Sequence, residues 1–522
     1  MHALDWVSPI EALKADPVQT AALQETVLKN YNLSGLEPAE TQSTSSAYPK
    51  EFPKGNATYY AAIQAKVKKI VDSGQLGIFA AQWWDHPDYQ LLPPEVHLMG
   101  VAHYLNILDR QRDIVTPHVV FGGKNPHPHF CIGGMPCSIS MDDMNAPVNA
   151  ARLATVDESI SLAKDLVNYF YVPDVLAIGQ IYAKAGMVDG GGLSKKRAMA
   201  YGDYPDEPYS GISNGDYFKK ILVRANGVVE DFGLGVDKAK FIPMDGPDLM
   251  NPDFLSEEVE HSWYEYPNGT KTAHPSEGIT KPNYTGPKTG TKEHWEFLDE
   301  TKKYSWIKSP TFKGKACEVG PLAKYIVVYT KVKQGIISNP SWAEQMIVKQ
   351  IDTVSSVLGV SAHVWMCSTV GRTACRALDA QVAVNMSQYM FNKLVANIKG
   401  GDEVVADMSK FDPNSWPKEA KGVGVLDAPR GALGHWSVIK DAKIDNYQCI
   451  VPSTWNACPK TMANEHGAYE SNMIDTHVKI ADKPLEILKG IHSFDPCLAC
   501  ATHLYNKKGE KIVSVNTDAL CK

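Results

Sequence analysis

Four stretches of this 522-residue chain repeat apolar residues at helical spacing, and that pattern limits the architecture more than any other feature. Ile63, Val67, Ile70 and Val71 fall at i, i+4, i+7 and i+8, and Ser73-Gly74 follows as a stop. Thr155 and Glu158 have capping-box spacing. Ile160, Ala163, Val167 and Phe170 then trace one face up to Pro173, which is expected to break the helix. Ser341 and Glu344 repeat the box ahead of Ile347, Ile351, Val354 and Leu358, with Gly359 where a C-terminal glycine is expected. The longest candidate runs from about Arg372 to Lys399, with Leu378, Val382, Met386 and Met390 on one side and Gly400-Gly401 closing it. Each stripe must be buried against another, so four long helices predict a bundle-like core.

From about Gly186 to Ser305 the periodicity fades. Gly, Pro, Tyr and Asp become dense, and short strand-like pieces such as Lys220 to Val223 alternate with turns. The expected fold class is therefore α+β, mainly helical, with a long-helix bundle core and irregular and short β segments around it. There is no repeat and no Gly/Ser-rich linker, so residues 1–522 are expected to form a single domain. With 44% apolar and 21% charged residues, disorder is a poor reading. A net charge of -7, with no Lys/Arg run longer than three, offers no electrostatic footprint for nucleic acid or an anionic membrane. No stretch of about eighteen apolar residues encodes a transmembrane helix. The opening Met1-His2-Ala3-Leu4-Asp5-Trp6 lacks the basic and apolar regions of a secretory signal, so any export is expected to be directed by a partner.

Ten cysteines are too few for a disulfide scaffold in a chain this long, and only Cys497 and Cys500 lie at C-x-x-C spacing. For Cys131, Cys137, Cys317, Cys367, Cys375, Cys449, Cys458 and Cys521 the plain reading is a small buried hydrophobe. Two thiolates three positions apart can reach one soft or borderline metal. Zinc would want a second pair of ligands at comparable spacing, and none is visible. A thioredoxin-like redox pair would want a βαβ context, whereas here Pro496 precedes and a short tail follows.

The whole peptide Asp495-Pro496-Cys497-Leu498-Ala499-Cys500-Ala501-Thr502-His503 is more specific. It resembles the C-terminal motif of nickel-iron hydrogenase large subunits. Lys421-Gly422-Val423-Gly424 through Ala428-Pro429-Arg430-Gly431-Ala432-Leu433-Gly434-His435-Trp436 is similar to the family's segment over the metals. Asn446 to Asn456, with Cys449 and Pro452-Ser453-Thr454-Trp455, is similar to the strand beside them. Ser309-Pro310-Thr311-Phe312, Glu318-Val319-Gly320-Pro321-Leu322-Ala323, Gly371-Arg372-Thr373, Ser73 to Phe79 and His2 to Val7 also match, in family order.

The resemblance implies a hydrogenase of the membrane-bound uptake type, splitting hydrogen reversibly and heterolytically while a nearby base takes the proton. It implies a nickel-iron centre whose iron carries two cyanides and one carbon monoxide. Cys497 matches the terminal nickel ligand and a first proton acceptor, and Cys500 the ligand bridging to iron. Arg430 would polarise hydrogen and donate to a cyanide, with Asp495 supporting it as a neighbouring carboxylate. Pro429, Pro452 and Ser453 would surround the diatomic ligands, the Ser453 hydroxyl donating to the second cyanide. His503 and the backbone carbonyl of Cys449 would hold a magnesium or iron ion. Without the motif, Arg430 reads as a surface ion-pair residue, Ser453 as a strand-end Ser bonding its own backbone, and Asp495 as a turn former. No ferredoxin-like cysteine run occurs, so no iron-sulfur cluster is expected in this chain, and electrons should leave through an iron-sulfur small subunit. A maturation endopeptidase, nickel-insertion proteins and a membrane cytochrome b complete the implied partners, on the periplasmic face of the cytoplasmic membrane.

Two departures from the family pattern carry expectations. The family's other two nickel ligands come from an N-terminal RxCGxC element, which also brings the Glu that relays protons and a further Asp. This sequence contains no such element, and Met1 stands where a Leu is usual. The expectation is a truncated or misassigned start, and an inactive polypeptide unless that segment is supplied. At the other end Leu504 to Lys522 continues past His503, the residue after which the family is cut, so 504–522 is expected to be a removable extension. The competing readings are a non-catalytic relative, like the quinone-module subunit of respiratory complex I, and a zinc scaffold using Cys497, Cys500 and His503. Such relatives lack the Cys497/Cys500 pair, and the zinc reading lacks a fourth ligand.

Overall fold

In a computed structural model of the chain, residues 6–43, 55–74, 90–126, 128, 138–185, 189–207, 212, 215–286, 299–405, 412–480 and 484–496 are described, with the backbone of two short strands at 504–505 and 511–513. They are mainly helical with small antiparallel sheets, as the α+β expectation had it. The chain divides into two compact units, one of Ala3–Ala185 and Ala377–Trp416, the other of Gly186–Arg376 and Pro417–Lys522.

The first unit is the helical one. Its helices Pro17–Tyr31, Ala57–Asp72 and Ala150–Leu166 start where Asp16, Asn56 and Asn149 accept the backbone N–H of Val18, Tyr59 and Arg152 at 2.8, 2.8 and 3.0 Å. Asn149, not Thr155, is therefore the cap of the third; Thr155 lies inside that helix and donates its hydroxyl to Ala151 O at 3.2 Å. Nor does Pro173 end the helical run. A π-helical turn, Val167–Tyr171, intervenes, and Pro173 falls in the first turn of the next helix, Val172–Lys184, where a missing N–H costs nothing. The interior mixes apolar residues such as Val67, Val382 and Met386 with a polar seam. Asn168 accepts from Gln381 at 2.8 Å and donates to Glu37 at 2.6 Å, and Thr41 donates to Asn385 at 2.9 Å. Buried amides that find their partners in only one arrangement fix the register of helices that greasy contacts alone would leave sliding.

The second unit combines helices Pro321–Lys333 and Trp342–Leu358 with three three-stranded antiparallel sheets. The predicted box at Ser341 forms: its hydroxyl accepts Glu344 N–H at 3.2 Å, and the Glu344 carboxylate accepts Ser341 N–H at 2.8 Å. Gly359 closes that helix in the left-handed conformation, φ 66°. The region of faded periodicity supplies short strands, among them Arg197–Ala200, Gly227–Glu230 and Leu255–Glu258. Their inward faces build a core with Met199, Tyr201, Phe312, Trp436 and Trp455. The sheet that matters for the site is Glu419–Ala428, Gly431–Lys440 and Lys443–Ile450, in sequence order.

Candidate active site

The strands Glu419–Ala428 and Gly431–Lys440 pair from Glu419↔Lys440 to Ala428↔Gly431, so Pro429 and Arg430 are the two residues of the hairpin's tip. Below the tip, Val425, Ala432 and Trp436 are buried, and Trp436 donates its indole N–H to Leu249 O at 2.8 Å. This anchors the hairpin by its body and leaves Arg430 at its end. Gly431, φ 124°, is where the tip touches its neighbour: a Cβ there would stand 2.4 Å from the Gly320 nitrogen. Gly320 is itself at φ 137°, so two backbones cross where Gly431 has no room for a side chain and Gly320 holds a conformation that L side chains rarely adopt.

Asp495 follows the helix Leu485–Ser493 at φ 58°, a left-handed turn that Asp tolerates better than most residues, with its N–H on His492 O at 2.9 Å. The turn presents its carbonyl and its carboxylate to one guanidinium. Arg430 donates from Nε to Asp495 O at 2.8 Å and from Nη2 to Oδ1 at 3.3 Å. With 43% of the Arg430 side chain exposed, this pair does little for stability and much for orientation. Arg376 joins it, donating from Nη1 to Pro429 O at 2.7 Å and from Nη2 to Ser493 O at 3.0 Å, with Asp495 Oδ2 at 3.8 Å from Nη1. The Tyr469 phenol titrates above its usual value because it is buried. Asp495 pushes it further the same way, while Ser453, Arg376 and Arg430 oppose the shift, so all four lie in its field. Its ring packs on Phe494 at 4.8 Å.

A buried frame supports this cluster. Arg372 donates to both Glu318 oxygens at 2.7 and 3.0 Å, to Gly190 O and Gly191 O at 2.6 and 2.9 Å, and to Asn472 Oδ1 at 3.0 Å. Its guanidinium also lies over the Phe494 ring, 4.1 Å from the centroid. Asn456 clips Val319 from both sides, accepting its N–H at 3.0 Å and donating to its carbonyl at 2.8 Å. Segments 318–320, 372–376, 429–431, 453–456 and 493–495 thus meet although the first and last lie more than 170 residues apart in the chain.

Of the residues singled out from sequence, Arg430 and Asp495 are in direct contact, and Pro429 is held through its carbonyl. Pro452 is buried at the start of the short helix Pro452–Asn456, and Ser453 sits in that helix's first turn rather than at a strand end. Cys449 lies on the strand Lys443–Ile450 opposite His435, its Sγ 3.8 Å from His435 Nε2, with burial raising its thiol pKa. Cys497, Cys500 and His503 lie outside the described residues, as do Cys131, Cys137, Cys521, His2 to Asp5 and Gln75 to Phe79. Leu504 is seen only as backbone, in a short strand. Sequence reasoning missed Arg376 and Tyr469. The signal for Arg376 was available: it stands four residues after Arg372 in a helix whose Ala374, Cys375, Ala377 and Leu378 are all buried, and a cation in an apolar stretch needs a reason. Tyr469 had no such signal.

Comparison with known proteins identifies the family. Residues 1–503 match the family described as nickel-dependent hydrogenase. The hydrogenase-1 large chain of Escherichia coli K12 is 42% identical over 518 residues, covering 99% of this chain and 79% of the relative. The uptake hydrogenase large subunit of Rhizobium leguminosarum bv. viciae is 43% identical over 519 residues, with the same coverage. Among solved structures, a [NiFeSe] hydrogenase variant from Desulfovibrio vulgaris Hildenborough superimposes with a TM-score of 0.57 at 25% identity, over 94% of this chain and 81% of that one. The [NiFeSe] hydrogenase of Dm. baculatum shares the fold, with a TM-score of 0.57, over 94% and 82% of the two chains at 24% identity. The expectation of an inactive polypeptide finds no support in these matches, and similarity to hydrogenase large chains along 99% of its residues means that the chain belongs to the nickel-dependent hydrogenase family, as a large subunit.

Proposed function

We propose that the Arg430 cluster serves reversible, heterolytic hydrogen cleavage beside a nickel-iron centre that Cys497 and Cys500 would hold. The fit rests on the donors present. Arg430 is gripped by Asp495 on its Nε and Nη2 side, leaving Nη1 to donate elsewhere. A guanidinium N–H kept ready beside the Asp495 turn suits a group rich in acceptors, such as an iron carrying two cyanides and a carbon monoxide. The nickel-iron centre, when bound, supplies the electron chemistry.

The chain's own residues do the rest. Arg430 polarises hydrogen and donates to one cyanide; Asp495 keeps the fork from rotating. Ser453 donates to the second cyanide, and Pro429 and Pro452 add surface without N–H groups that would compete. The Cys497 thiolate accepts the proton, being basic enough to hold it transiently. His503 and the Cys449 carbonyl hold a magnesium or iron ion. Electrons leave to an iron-sulfur small subunit, and thence to a membrane cytochrome b on the periplasmic face. The word uptake in the relatives' names supports the direction of hydrogen oxidation; among the described residues no helix is long and apolar enough to cross a membrane. Nickel-insertion proteins and an endopeptidase cutting between His503 and Leu504 mature the subunit, in keeping with a family match that ends at 503.

The observation that carries this reading is the two-point grip of Asp495 on Arg430 at the hairpin tip. In the assembled enzyme, Arg430→Lys should keep its nickel and iron and lose about a hundredfold or more in kcat, since an ammonium cannot reproduce the planar fork. Metal analysis beside a hydrogen-uptake assay decides it, and wild-type turnover would remove Arg430 from the mechanism.

A further inference from the structure

We propose that Arg376, which none of the motifs assigned, is a positioning residue for hydrogen turnover: it locks the hairpin tip that carries Arg430 to the turn that carries Asp495. The inference rests on the reading of Arg430 and Asp495 given above.

Three contacts define the lock. Nη1 bonds the carbonyl of Pro429, the residue before Arg430, at 2.7 Å, and Nη2 bonds the carbonyl of Ser493, two residues before Asp495, at 3.0 Å. The Asp495 carboxylate lies between the two guanidiniums, Oδ1 at 3.3 Å from Arg430 and Oδ2 at 3.8 Å from Arg376. Arg376 itself is carried on the helix Thr369–Lys399, one turn past Arg372, whose five hydrogen bonds and buried ion pair fix that end of the helix. The rigid part of the unit is thereby coupled to both halves of the Arg430–Asp495 pair, neither of which is deeply buried. Two carbonyls diverging from one planar fork need two N–H vectors at a fixed angle. Lysine offers one mobile ammonium, and glutamine one short amide. A shift of about an ångström in the relative placement of these segments is enough to misalign a catalytic donor and cost roughly tenfold or more in rate, with substrate binding unaffected.

The test uses the holoenzyme with its small subunit, in five forms: Arg376→Lys, Arg376→Gln, Arg430→Lys, and the two double variants. Gln is included because it removes the charge without added bulk, so a folding failure of one variant leaves the other to be read. We expect both Arg376 variants to retain nickel, to keep KM for hydrogen within about twofold and to lose about tenfold in kcat. Amide hydrogen exchange, read without turnover, should accelerate in residues 429–433 and 491–495. Added to Arg430→Lys, either Arg376 change should cost nothing further, because the fork it positions is gone. Wild-type exchange with wild-type turnover would overturn the proposal, and so would losses that multiply with that of Arg430→Lys, which mark a role independent of Arg430. If Arg430→Lys alone keeps full turnover, it is the site reading that fails, and exchange still reports whether Arg376 joins the two segments.

Discussion

Glu318 and Arg372 are almost wholly withdrawn from water, and such a pair is costly to bury but far more costly to break. Glu318→Ala should destabilise the protein by about 3–5 kcal/mol, because the remaining guanidinium keeps only backbone carbonyls and one amide; Glu318→Gln should lose less. Thermal unfolding of the two variants measures this, and a loss under about 1 kcal/mol for Ala would mean that water reaches Arg372. Asp427 is a different kind of buried charge. Burial pushes its carboxyl up to about 7, against the Lys324 ammonium and the N–H groups of Gly202 and Tyr201. A carboxyl raised in the fold binds its proton more tightly there than in the unfolded chain, where it titrates near about 4. Its contribution is therefore complete below that value and is lost as pH rises through about 7. The stability of wild type relative to Asp427→Asn should fall with pH between about 5 and 7, with a slope approaching 1.4 kcal/mol per pH unit. A flat difference in unfolding measured across that range would show Asp427 charged throughout. At this scale the contiguous motifs singled out Arg430 and Asp495, and the fold brings those two into direct contact. The sequence was silent on Tyr469, which joins the cluster only through its neighbours in space.

The hairpin and the long helices show what local pattern can and cannot decide. Ser341, Glu344 and Gly359 each act where their spacing put them, because a cap is a contract among residues within one turn. Thr155 and Glu158 had the same spacing and formed no cap, since Asn149 had already started that helix a turn and a half earlier. Pro173 failed to stop its helix because a π turn, which sequence periodicity does not announce, let the chain restart with proline in a tolerated position. The hairpin tip depends on a non-local fact, the crossing of Gly431 over Gly320. Gly431→Ala places a methyl 2.4 Å from a backbone nitrogen and asks an L side chain to adopt φ 124°. We expect a loss of about 1–3 kcal/mol in stability and at least a tenfold loss of turnover, since Arg430 is the adjacent residue. Assay and unfolding of the same sample separate the two, and a variant equal to wild type in both would mean that the tip relaxes freely.

Across the molecule, the motifs around Glu318, Arg372, Arg430, Ser453 and Asp495 build the frame around Asp495, whereas the stripes of Ala57–Asp72, Ala150–Leu166 and Thr369–Lys399 line the interior of the first unit and that of Trp342–Leu358 the second. Class and helical core could be read from periodicity because burial imposes it. The division into two compact units could not, because no linker composition marks 185/186, 376/377 or 416/417 and one helix runs through the second of these boundaries. The C-terminal extension poses a physical question of its own. Its described part is a ribbon pairing Leu504–Tyr505 with Lys511–Val513, and a two-stranded ribbon is by itself marginal in water, so it should open readily to a protease. On the proposed maturation, selectivity for the metal-loaded state would then come from the other side of the cut, from whether Cys497 and Cys500 are drawn together on the metal, which would fix the position of His503. On that ground, nickel-depleted cells should accumulate the 522-residue chain, and nickel supply should convert it to one ending at His503, as read by intact mass. Replacing Cys500 by Ser should block the conversion even with nickel present, and conversion at the wild-type rate without nickel would show that the protease recognises the ribbon rather than the metal-ordered turn.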